Sequence, residues 1–180
     1  MKTGPRILSL VGGLASLLLL AISVGAAEKN DHGIPHFAEV APGIYRGGQP
    51  SPAGWAYLAS LGVKYDVKLN TTNEGSDAEA ARLGIAVKTF PIQLSEQTFS
   101  KPNRTNLWAA ARSIQPHTFI HCSHGQDRTG LVVGIYRVTV LGQSKSAAYA
   151  EMREHGFHPV LRGLYRAWKD DVPEPAVPKK

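Results

Sequence analysis

Hydrophobic residues fall along the chain in three patterns: one unbroken run, several short alternating stretches, and stripes at helical spacing. The unbroken run, Ile7 to Val24, follows Lys2 and Arg6 and precedes the small residues Gly25, Ala26 and Ala27. A basic start, an apolar middle and a small-residue exit predict a secretory signal peptide over residues 1–26, cleaved near Ala26 or Ala27. A retained membrane anchor is the competing reading, because the run is near the lower length limit for a span. Gly12, Gly13, Ser16 and Ser23 dilute it and favour cleavage. Cleavage leaves an exported chain, periplasmic or secreted, with no stable membrane span.

Beyond a polar, irregular lead-in at 28–42, strands and helices alternate. Gly43 to Arg46 reads as a strand, followed by the turn Gly47-Gly48-Gln49-Pro50. Ser51 with Pro52 behind it starts a helix that turns Trp55, Leu58 and Leu61 inward, and Gly62 ends it. Val63, Tyr65, Val67 and Leu69 alternate with polar residues, which predicts a strand ending at Asn70. A loop at 71–76, a short helix at 77–83 and a strand at 85–90 follow. Asn103 is the expected cap of a helix striped by Leu107, Ala110, Ala111 and Ile114. Thr118 to His121 is a short buried strand, and Leu131, Ile135 and Val138 stripe a helix over about 130–141. Two more helices are expected at about 144–155 and 159–169, the second carrying Leu161, Leu164, Tyr165 and Trp168. Strands separated by helices predict an α/β fold with a mostly parallel central sheet flanked by helices. Residues 43–169 form its domain and 170–180 a flexible tail.

Composition changes this picture in two places. The roughly 150 residues left after cleavage bury a sufficient core without cross-links. Only one cysteine, Cys122, is present, so no internal disulfide exists in the compartment that would allow one. An unpaired thiol there is a liability unless it has chemistry to do. The formal charge of +6 suits anionic substrates but is too dispersed for nucleic acid.

The chemistry concentrates in His121-Cys122-Ser123-His124-Gly125-Gln126-Asp127-Arg128-Thr129-Gly130, between an apolar strand and an apolar-striped helix. In parallel α/β sheets ligands bind beyond the carboxyl ends of the strands. A loop there, opening a helix, aims successive backbone N–H groups and partial positive charge at an anion. The same field lowers the pKa of a cysteine at its start. Arg128, with five residues between it and Cys122, can grip two phosphate oxygens with its planar fork. Gly125 permits the tight turn beneath the anion. Ser123, His124, Gly125, Gln126, Asp127 and Arg128 are the candidate substrate-binding residues, although His124 also reads as a side chain pointing to solvent. Neither a cofactor nor a metal is expected. His117, His121, Cys122 and His124 as a zinc set would leave Arg128 aimed at a cation.

This loop resembles that of the cysteine-dependent protein tyrosine and dual-specificity phosphatases: His-Cys, five residues, Arg, a hydroxyl residue, Gly. The turn Tyr45-Arg46-Gly47-Gly48-Gln49-Pro50, the strand ending at Asn70 and the segment Tyr149 to Gly156 resemble compact bacterial dual-specificity members. The resemblance implies that Cys122 attacks phosphorus, that a general acid protonates the departing oxygen, and that water hydrolyses the phosphocysteine. It implies that Arg128 stabilises the equatorial oxygens, that Thr129 hydrogen-bonds the departing sulfur, and that His121 orients the loop and helps set the cysteine pKa. The expected partner is a phosphorylated substrate: a phosphoprotein, an inositol phosphate or a phospholipid head group.

One part departs from the family pattern. The loop 91–102, where the family carries an acidic aspartate, holds only Glu96 as a carboxyl group. Asp127, beside Arg128, is the second candidate acid or a brace for the arginine, and an activated leaving group needs no acid at all. Lys101 and Arg104 meet further phosphates or form a solvated helix start. A phosphate-binding module without turnover and a sulfur transferase are the competing functions. The intact Cys122, Arg128 and Thr129 argue against the first, and the Arg-Thr-Gly exit against the second.

Overall fold

A computed structural model describes residues 1, 32–71, 73–94 and 99–175. The expected leader and Glu96 lie outside the described residues. Five strands form one sheet: β1 (Ala38–Ala41), β2 (Ile44–Gly47), β3 (Tyr65–Lys68), β4 (Ala86–Thr89) and β5 (Thr118–His121), in the order β1-β2-β5-β3-β4. β1 pairs antiparallel with β2, and every other pairing is parallel, as the alternation of strands with helices predicts. β1 lies in the segment expected to be irregular. It contributes one buried residue, Val40, which is too little to register as a hydrophobic pattern.

Six helices cover the sheet: α1 (Pro52–Ser60), α2 (Ala78–Arg82), α3 (Lys101–Ser113), α4 (Asp127–Thr139), α5 (Lys145–Glu154) and α6 (Arg162–Arg166). Ser51 caps α1 as expected, its hydroxyl accepting from Gly54 N at 3.1 Å. For α3 the cap is Ser100 instead of Asn103, and Pro102 sits in the first turn, where its missing N–H costs nothing. Asn103 is thereby freed to hold both the N–H and the C=O of Gln93. The helix expected at 159–169 is split into α6 and a π-helical turn, Ala167–Asp171. Its apolar stripe still packs on the core, and Val172 is buried beyond it, so the expected tail is anchored past residue 170.

The strand β3 corrects a simpler reading of its alternation. Asp66 and Asn70 are buried rather than solvated, because a central parallel strand is covered on both faces. One core, centred on Leu107, Ile120, Leu131 and Ile135, lies under α3, α4 and α5. A second, with Trp55, Leu58, Ile85 and Phe119, lies under α1. The chain leaves β5 between β2 and β3, with His121 opposite Gly47 on one side and Lys68 on the other. The loop of interest is therefore flanked by two strand ends.

Candidate active site

The loop from Cys122 to Gln126 is held from β2 by backbone and by one buried guanidinium. Ser123 C=O accepts from Gln49 N at 3.0 Å, and the Gly47 C=O lies 3.5 Å from the Thr129 hydroxyl. Gly125 has φ +78°, and a Cβ there would come within 2.4 Å of Gly47 C and Gly48 N. Only glycine admits both the left-handed turn and this contact. Arg46, fully buried, donates to Gly125 O at 3.0 Å and to Glu151 of α5 at 2.9 Å. The Tyr45–Pro50 turn and the helix carrying Glu151 are thus parts of one scaffold under the loop.

Cys122 is buried, and its sulfur accepts from Gly125 N–H at 3.3 Å. Burial alone pushes the thiol up. The Thr129 hydroxyl, the Arg128 charge and the N–H groups of Thr129 and Gly125 outweigh it, so the thiol lies below its ordinary value. A hydrogen-bonded, partly neutralised thiolate at a helix start is a nucleophile rather than an inert core cysteine.

Arg128 is also buried, and its Nη groups are held by a residue the sequence reading passed over. Glu74, on the loop after β3, accepts from Nη1 at 2.7 Å and Nη2 at 2.6 Å. The same carboxylate takes the Ser123 hydroxyl at 2.9 Å and the Thr71 N–H and hydroxyl at 2.8 and 2.7 Å. Arg128 above all, with Thr71 and Ser123, holds Glu74 well below the usual carboxylate range despite partial burial. Glu74 therefore stays ionised as a brace and donates no proton. Its loop is fixed in turn by Asn70, whose Nδ2 donates to Glu74 O and Gln49 Oε1.

The brace expected of Asp127 is consequently filled elsewhere. Asp127 turns away from Arg128, and its carboxylate accepts from His158 N at 2.7 Å and lies 3.1 Å from His158 Nδ1. As the first residue of α4, its charge also suits the helix N-terminus. His124 is exposed, and the Gln126 side chain packs against Gly156. Arg104 pairs with Asp171 and gives its Nε–H to Phe99 O, so it is not free for a second phosphate. His121 is enclosed, with Nε2 at 3.3 Å from Asp66. The arrangement can bind a tetrahedral oxyanion and attack it with sulfur.

Known proteins share both the sequence pattern and the shape. The chain is 30% identical over 121 residues to the dual specificity protein phosphatase TpbA of Pseudomonas aeruginosa, covering 66% of this chain and 53% of that protein. It is 33% identical over 109 residues to the inositol diphosphatase DSP2 of Oryza sativa subsp. japonica, covering 57% and 53%. The chain thus spans about half the length of the curated relatives it matches. The crystal structure of P. aeruginosa TpbA superposes with a TM-score of 0.62 at 24% identity, over 75% of this chain and 84% of that one. The core catalytic domain of the PP-IP phosphatase SIW14 from S. cerevisiae gives 0.60 at 21% identity, over 77% and 89%. At these identities the superpositions establish the fold. The model of the tyrosine phosphatase family matches residues 34–158, which contain the Cys122 loop, its β2 scaffold and the Glu74 brace, and the chain belongs to that family.

Proposed function

We propose that the chain hydrolyses phosphate monoesters through a phosphocysteine on Cys122. The observation that carries this is the cradled sulfur. Cys122 Sγ accepts from the Gly125 N–H and lies under the influence of Thr129 and Arg128, which together favour the thiolate. In the first step the sulfur lone pair forms an S–P bond, the P–O bond to the leaving group breaks, and that oxygen takes a proton. In the second, water forms a P–O bond, the S–P bond breaks, and the sulfur leaves as a thiolate beside the Thr129 hydroxyl. Arg128 and the loop N–H groups hold the equatorial oxygens in both steps. Glu96 retains the acid role as part of this proposal, because Asp127 is engaged by His158 and Glu74 by Arg128.

The relatives' names support a dual-specificity protein phosphatase, acting on phosphorylated tyrosine, serine or threonine. A second reading, an inositol phosphate or phospholipid head group as substrate, is supported by the two inositol diphosphatase matches. Export to the periplasm or medium, with cleavage near Ala26 or Ala27, is proposed from the sequence pattern alone. Turnover is tested with an aryl phosphate: Cys122→Ser is expected to abolish it, and activity near the parent level would overturn the mechanism. Phosphate release from phosphopeptides against inositol phosphates then separates the two substrate readings.

A further inference from the structure

One residue before Cys122, the His121 imidazole is shut off from solvent. The Phe119 ring stacks on it at 5.5 Å, and the Trp55 ring meets it edge-on at 5.8 Å. Two carboxylates face it. Asp66 of β3 brings Oδ2 to 3.3 Å from Nε2, and Asp77, just ahead of α2, brings Oδ1 to 3.7 Å. Asp77 has other company: Lys68 Nζ at 2.6 Å on one oxygen and Gln49 Nε2 at 2.8 Å on the other. Asp66 has none. Both its oxygens are buried without a well-formed hydrogen bond, as are both ring nitrogens of His121.

An isolated buried carboxylate costs several kcal/mol unless something neutralises it. The three side chains could in principle surround a cation, since their donor atoms lie within 4.8 Å of one another. The Lys68 ammonium already sits on Asp77, and a second cation there would be repelled. With Lys68 matched to Asp77, a proton on His121 is the remaining positive charge available to Asp66.

We propose that Asp66 is a positioning residue for the hydrolysis proposed above: its buried carboxylate holds His121 as an imidazolium, whose charge favours the Cys122 thiolate. Burial opposes a charged imidazole, and Asp66, with Asp77 behind it, overcomes this and holds His121 above its ordinary value. The groups acting on His121 are Asp66 from β3, Asp77 from the approach to α2, and Cys122 from its own loop. Those acting on Cys122 include Thr129 and Arg128 from α4 and the Gly125 N–H. Arg46 from β2 also feels the thiolate. Asp66 touches no substrate, and its effect travels through the ring.

The chain has one cysteine, so ultraviolet thiolate absorbance reports Cys122 alone and needs no turnover. Asp66→Asn keeps the shape and removes the charge. The thiolate titration is expected to move up by about one pH unit, with iodoacetamide alkylation about tenfold slower below both midpoints. Asp77→Asn should move it less, because its partner Lys68 remains. An unshifted thiolate titration in folded Asp66→Asn overturns the proposal. Should that variant fail to fold, nitrogen-15 shifts of His121 in the parent decide. Both ring nitrogens are expected to be protonated at about pH 7, and a neutral imidazole there overturns it. Because both readouts are independent of hydrolysis, a failed hydrolase reading would leave them interpretable.

Discussion

Replacing Glu74 with alanine removes the acceptor for both Nη groups of Arg128 while leaving the loop backbone and its β2 scaffold in place. A released arginine regains up to about 2 kcal/mol of rotamer freedom, which must be lost again when it closes on the transferring phosphoryl group. Arg128 is only 3% exposed, so part of that freedom is denied by packing. The loss translates to a fall in kcat of roughly 10- to 30-fold. Binding should respond differently. The lost carboxylate also takes away a negative charge near a dianion, so KM should change by less than about threefold. Steady-state kinetics on an aryl phosphate give the split, and a melting curve confirms that the variant is folded. A higher kcat together with a lower KM would refute the reasoning. The carboxylate would then be an occupant of the phosphate site that substrate must displace.

Arg46→Met should lower stability by about 3–5 kcal/mol, because Glu151 loses its buried partner and Gly125 O its donor; chemical denaturation measures this. Gly125→Ala should eliminate vanadate binding, since the new Cβ meets the Gly47–Gly48 peptide; calorimetry showing parent-like affinity would contradict that contact. Glu74 should also shape acid stability. Its depressed pKa contributes stability that is complete above about pH 4.3 and is lost as pH falls toward the folded value. The melting temperature of Glu74→Ala should therefore fall less steeply below about pH 4 than that of the parent.

The parts of this site that were legible in the sequence are the contiguous ones. His121 to Gly130 can be read directly, because a cradle needs a nucleophile, a tight turn, a fork-shaped cation and a helix start within one loop. The Ser51-Pro52 start of α1 and the Trp168 stripe are likewise local signals. Glu74 was not legible, since its partner lies 54 residues away and nothing near it marks a loop carboxylate as buried. Asp66 hid for a related reason: an alternating strand reads as having one wet face, whereas β3 is covered on both. Asn103 sent a misleading signal, because a good capping residue two positions inside the helix was committed to Gln93 instead. Asp127 showed the opposite failure, in that adjacency to Arg128 in sequence suggested a pairing that the helix geometry gives to His158.

The central claim is that Cys122 carries the phosphoryl group. Rapid acid quenching of the enzyme during turnover of an aryl phosphate, followed by intact-mass measurement and peptide mapping, tests it directly. The account predicts a single added phosphoryl group on the peptide containing Cys122, present during turnover and absent from Cys122→Ser. An enzyme that releases phosphate at full rate with no such adduct, or with the adduct on another residue, would contradict it.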